Sequence, residues 1–160
     1  MLKKTIHYTD FDGNDVTTEA YFNLTKTECI DLNLEYEADG GLIGRMRRLI
    51  GEQQKDGAIP QKPAVDFVKL LIDRSYGVRP KDNPSVFLKK DENGTPFINK
   101  FKQSLAYDAY VYGLLTGEES LDEFAKNVMP KVSDEQLAQA QAQLKADGLE
   151  DLVPAGLHEV

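Results

Sequence analysis

The chain opens on two stretches in which apolar and polar residues alternate, "KKTIHY" (3–8) and "VTTEAYF" (16–22), each rich in β-branched and aromatic side chains. That period of two predicts strands. Between them, "TDFDGND" supplies turn chemistry: Gly13 takes positive φ freely, and Asp12 and Asn14 tolerate it or bond to nearby backbone. The pattern predicts an N-terminal β-hairpin with a loop of several residues. Two strands alone are marginal in water, so the hairpin must pack on other elements or pair along an edge.

Helical spacing takes over at residue 25. Thr25 and Glu28 form a capping-box pattern, Leu24 stands where a hydrophobic staple belongs, and Cys29, Leu32 and Tyr36 recur on one face. In "GGLIGRMRRLIGEQQ" (40–54), Leu42, Met46, Leu49 and Ile50 share a stripe with Arg45, Arg47 and Arg48 off it. "DGAIPQKP" reads as a connector. Residues 64–77 predict an amphipathic helix with Val65, Val68, Leu71, Ile72 and Tyr76 inward and Gly77 ending it. A second short hairpin is expected near 86–98 around "ENG", with Pro96 making one arm an edge or irregular.

"NKFKQSLAYDAYVYGLLT" (99–116) predicts one long helix with Phe101, Leu105, Ala109 and Tyr112 stacked. "GEESLDEFAKNVMP" predicts another: Ser120 and Glu123 offer a capping box, Leu121, Phe124, Ala125 and Val128 face inward, and Pro130 marks the exit. From residue 132 the chain is Ala/Gln-rich, helix-prone and anchored only by Leu137 and Leu144. The sum is an α+β fold, an N-terminal hairpin packed on four to five helices. It divides into a compact domain over 1–131 and an acidic helical extension over 132–160.

Composition narrows what such a fold does. The 160 residues are 41% hydrophobic, enough for a core, and no run reaches the length of a membrane span. The start has a basic pair without the apolar stretch of a signal peptide, so a cytoplasmic protein is expected. Net charge is −8 and unevenly placed: residues 1–117 carry 16 Lys/Arg against 17 Asp/Glu, and residues 118–160 carry 3 against 10. A phosphate backbone is repelled by such a chain, and nucleic acid is not an expected partner. A basic protein partner remains open for the tail.

Little in the sequence resembles a reaction centre. Cys29 is alone, so neither an intramolecular disulfide nor a cysteine metal cluster can form. "DFDGND" fails as a calcium loop, because counting from Asp10 the sixth and twelfth positions hold Asp15 and Tyr21 instead of Gly and Glu. His7 and His158 lie at opposite ends, and "GGLIGR" lacks the Lys-Ser/Thr of a phosphate loop. No serine has a nucleophile-elbow context. No catalytic, cofactor-binding or metal-binding residue is therefore expected. Binding is the better expectation, through the cluster Arg45, Arg47 and Arg48, and through Tyr110 in the run "YDAYVY", with core packing the competing role for its tyrosines.

The order of pieces, more than any one of them, resembles a known family. "TIHYTDFDGNDVTTEAYFNLTKTE", followed by "SYG" (75–77), "FLKKDENGTPFI", "FKQSLAY" (101–107) and "FAKNVMP" (124–130), resembles the tail assembly chaperones of long-tailed bacteriophages and prophages of Gram-positive hosts. The likeness spans residues 3–131, with "GEQQKDGAIPQKP" longer than usual and residues 132–160 beyond where many short members stop. It implies a non-catalytic assembly factor of the host cytoplasm, absent from the mature virion and without a cofactor. Its implied client is the tape measure protein, kept soluble until tail-tube protein polymerises around it; self-association is a further expectation, and membrane binding is not. The alternative from another class is a structural tail or head-completion protein of the virion.

Overall fold

The computed structural model describes residues 1–42, 44, 45, 47, 48 and 62–130. It is an α+β structure of two compact units, Met1–Asn23 with Pro60–Ser120, and Leu24–Ile59 with Leu121–Val160.

The first unit is built on the expected hairpin. Strand β1 (Leu2–Thr9) pairs antiparallel with β2 (Asp15–Phe22) from Leu2↔Phe22 to Thr9↔Asp15. Alternation sorts the faces: Leu2, Ile6, Ala20 and Phe22 are buried, whereas Lys3, Thr5, His7, Thr17 and Glu19 are exposed. The turn is held by Asp10, whose Oδ1 accepts from the backbone N–H of Asp12 and of Asn14, each at 2.9 Å, while Gly13 stands at φ 83°. That bonding accounts for the aspartate there without any metal.

Helix α2 (Lys62–Ser75) buries Ala64, Phe67, Val68, Leu71, Ile72 and Ser75, and Val65 from the expected stripe is only half-buried. It stops earlier than periodicity indicates. Tyr76 and Gly77 leave it to form a short third strand, β3 (Tyr76–Gly77), antiparallel to β2 through Phe22↔Tyr76 and Tyr21↔Gly77. Asn23 N–H donates to the Ser75 carbonyl at 2.7 Å and fixes the exit. Gly77 is thus not a helix terminator in left-handed conformation. It allows a close approach, since a Cβ there would run into the Phe87 ring and lie 2.8 Å from the Leu88 carbonyl.

The second turn-back near 86–98 forms with sparse pairing. Val78↔Leu88 and Lys90↔Pro96 are isolated bridges, and Pro96 has no N–H to extend a ladder. The long helix expected over 99–116 is two helices, α3 (Ile98–Lys102) and α4 (Leu105–Thr116). Ser104 causes the break: its hydroxyl donates back to the Phe101 carbonyl at 2.7 Å and accepts from Tyr107 N–H as N-cap of α4. The break resets the buried face of α4 to Ala106, Tyr110, Val111, Gly113 and Leu114, and leaves Tyr112 exposed. Helix α4 lies against β1 and against α2 and α3. Phe22 joins the layers, with ring centroids 5.4 Å from Tyr110, 5.8 Å from Tyr76 and 6.3 Å from Phe101.

In the second unit, α1 (Lys26–Glu35) starts on the expected capping box: Thr25 Oγ1 accepts from Glu28 N–H at 3.2 Å, and Glu28 Oε1 accepts from Thr25 N–H at 3.0 Å. A 3-10 turn (Glu37–Asp39) follows. Leu42, of the expected "GGLIGRMRRLIGEQQ" stripe, is buried, and its N–H donates to Asn33 Oδ1 at 2.8 Å. Met46, Leu49, Ile50 and the extension from 132 lie outside the described residues. Helix α5 (Leu121–Val128) buries Leu121, Phe124 and Val128, and the Val128 carbonyl accepts from Leu24 N–H at 3.0 Å.

Candidate functional site

No group of three or more His, Cys, Asp or Glu able to hold a metal occurs among the described residues. His7 Nδ1 lies 3.0 Å from Thr17 Oγ1 in a cross-strand pair on the exposed sheet face. Cys29 is half-buried with its Sγ 3.8 Å from Met129 Sδ. No described helix is long and apolar enough to cross a membrane.

The sequence-derived binding residues fall in two places. Arg45 and Arg47 are half-buried and Arg48 is exposed, all in helical backbone of the second unit. Tyr110 sits in the first unit at 3% exposure, its ring against Phe22 and 5.8 Å from the Lys4 ammonium. Its surroundings are those of a core residue. Tyr112 is the exposed tyrosine of that run, at 60%.

One titratable cluster lies beside the aromatic core of the first unit. Tyr76 stacks on Phe101 with centroids 4.3 Å apart and planes 9° from parallel, and Tyr107 meets Phe101 edge-on. Burial raises the Tyr76 phenol above its usual 10.0, and burial followed by the nearby Asp73 carboxylate raises Tyr107. Asp73 in turn holds Lys102 at 2.6 Å. Both phenols stay protonated at neutral pH, which suits packing and hydrogen bonding and gives no general base.

What the described surface does offer is apolar side chains in water. On α1, Ile30 is 61% and Leu34 64% exposed, one turn apart. Each stands about 160° around the helix from buried Leu32, so the pair points away from the core the helix packs on. Ile30 beside Leu32 suggests in sequence a buried surrounding for Cys29, but Cys29 is only half-buried and Ile30 faces water, on the side away from Leu32. Phe11 at the hairpin turn is 79% exposed. Beside it, His7, Tyr8, Thr9, Asp15, Val16 and Thr17 line an open hollow of about 440 Å³.

The described surface thus carries several large apolar side chains exposed to water. The sequence pattern of phage tail assembly chaperones matches residues 1–155. The chain belongs to that family. The match passes residue 131, so most of the acidic extension is part of the family pattern too. No curated protein and no solved structure matches the chain. On this tail assembly chaperone, Ile30 and Leu34 are two large aliphatic side chains that face solvent.

Proposed function

We propose that this chaperone binds the tape measure protein of its phage or prophage in the host cytoplasm and keeps it soluble until tail-tube protein polymerises around it. It acts by reversible contact, makes or breaks no covalent bond, and is left out of the mature virion. The observation that carries the reading is the Ile30–Leu34 pair, two large aliphatic side chains one turn apart on a helix face opposite its own core. A long helical client exposes apolar stripes of matching period before assembly, and covering them suppresses aggregation. Two anchors give weak individual contacts, which suits a cover that must be displaced, and repetition along the client supplies the avidity. Arg47 and Arg48, near the same helix in sequence, are proposed to contact acidic residues beside that stripe.

The test is co-expression with the tape measure protein of the same phage, scored as the soluble fraction of that client. The parent chain is expected to keep it soluble, and Ile30→Ser/Leu34→Ser to lose most of that effect while melting like the parent. A client equally soluble without the chaperone, or the chaperone found stoichiometrically in purified particles, would sink the reading. The second outcome would favour a structural tail component.

A further inference from the structure

The protein contains the same turn twice. In residues 10–14 (Asp-Phe-Asp-Gly-Asn) and 91–95 (Asp-Glu-Asn-Gly-Thr), the first residue's Oδ1 accepts from the N–H groups two and four residues on, all four bonds at 2.9 Å. In both, the glycine N–H donates to the aspartate carbonyl at 3.0 Å, and the aspartate N–H donates to the fifth residue's carbonyl at 2.9 Å. The glycines stand at φ 83° and 81°. The second position is Phe11 in one turn and Glu92 in the other, and both are exposed. Glu92 shows that this geometry makes no demand for an aromatic ring. The geometry of the turn therefore does not account for Phe11.

The inner face of the hairpin is buried at Leu2, Ile6, Ala20 and Phe22 but only half-covered at Tyr8 and Val16, so the distal end stands clear of the core. Asp10, Asp12 and Asp15 surround the ring in sequence, and residues 8–25 contain no Lys or Arg. The turn is already fixed by its own hydrogen bonds, so presenting the ring loses little entropy on binding. Aromatic anchors of this kind dominate interface energetics.

We propose that Phe11 is a recognition anchor that packs onto an apolar stripe of a helical partner protein where Lys or Arg flank that stripe, with the half-covered Tyr8–Val16 end and its hollow as the supporting contact. The charge of the tip selects the basic flanks and excludes a second acidic tip. This rests on the reading above in taking the tape measure protein as that partner, and it places contact on the first unit in addition to the Ile30–Leu34 pair.

The experiment measures the affinity of the full chain for the tape measure protein of the same phage, by titration calorimetry at low and high salt. Phe11→Ala is expected to weaken binding at least tenfold, Phe11→Leu less, and Glu92→Ala, the same position in the other turn, less than twofold. Asp12→Asn is expected to flatten the salt dependence. Melting curves of the variants should overlay the parent, because the ring is exposed. If the parent binds and Phe11→Ala binds equally well, the anchor is wrong and the client reading stands. A parent that does not bind overturns both. A Phe11→Ala effect on oligomeric state alone, with client affinity intact, also overturns the proposal and makes a second copy the occupant.

Discussion

Lys4 Nζ lies 2.6 Å from Glu119 Oε2, joining the edge strand β1 to the segment that leaves α4. The same ammonium sits 5.8 Å from the centre of the Tyr110 ring, and Glu119 N–H donates to the Gly113 carbonyl at 2.9 Å. Both ends of the pair are largely covered, so it differs from a solvated surface pair whose worth is close to nothing. Charge, ring and backbone bond hold Glu119 over α4 at the position where the helix has no side chain.

Gly113 is that position, and replacing it should reverse the usual rule. An interior helical glycine exchanged for alanine ordinarily gains about 1 kcal/mol. Here the new methyl would stand 2.7 Å from Glu119 Cγ and 3.4 Å from its Cβ. Gly113→Ala is expected to cost about 1–2 kcal/mol through overpacking. In a Glu119→Ala background the clash at Cγ is gone, and the same change should be neutral or stabilising. Urea denaturation of the four proteins measures that coupling, and additivity would show that Glu119 moves aside freely.

The break between α3 and α4 gives a second expectation. Ser104→Ala removes both the N-cap acceptor and the hydroxyl bond to the Phe101 carbonyl, at a cost of about 1 kcal/mol. Ser104→Asp keeps an acceptor at the start of α4 and should recover most of it. The readout is a fall in urea midpoint at constant slope. A Ser104→Ala protein with the parent midpoint would mean that the two helices are separated by packing alone.

Legibility in the sequence followed the range of the interaction. The hairpin, the Thr25–Glu28 box and the turn at 10–14 are held by bonds within a few residues, and their residue types announce them. Ser104 was local as well, but an apolar period running through Phe101, Leu105 and Ala109 masked the cap. Gly77 depends on Phe87, ten residues on, which no local pattern contains. Tyr110 and Tyr112 lie on different sides of one helix, and which of them meets water depends on where β1 and Phe22 come to rest. The exposed Ile30–Leu34 pair was readable once the buried face of α1 was drawn, because both residues fall on the side of the helical wheel away from Leu32.

Alkaline stability should reflect the two raised phenols. With a folded pKa above the unfolded value, each tyrosine loses its proton first in the unfolded chain. The native state then binds more protons, so stability falls as pH rises. The contribution is fully present below about pH 10, the unfolded value, and is lost through the folded pKa above it. Melting temperature should thus be insensitive to these groups between pH 7 and about 9 and decline beyond about 10. Tyr76→Phe/Tyr107→Phe should flatten that decline while the Phe101 contacts persist. An equally steep decline in the double variant would assign it to other groups.

The paired turns allow one structural experiment with a built-in comparison. Asp10→Ala and Asp91→Ala each strip the acceptor from two backbone N–H groups. Because both turns are exposed, water replaces part of what is lost, and a cost of about 1 kcal/mol is expected for each. Asn at either position keeps the Oδ1 acceptor and should cost less. The consequences differ in kind. The 10–14 turn closes two eight-residue strands paired along their whole length, so Asp10→Ala should leave the register of β1 and β2 intact. The 91–95 turn closes on the single bridge Lys90↔Pro96, and Asp91→Ala should increase amide exchange across 88–97 far more than across the hairpin. Equal exchange in the two regions would mean that packing, not the aspartate, holds the second turn.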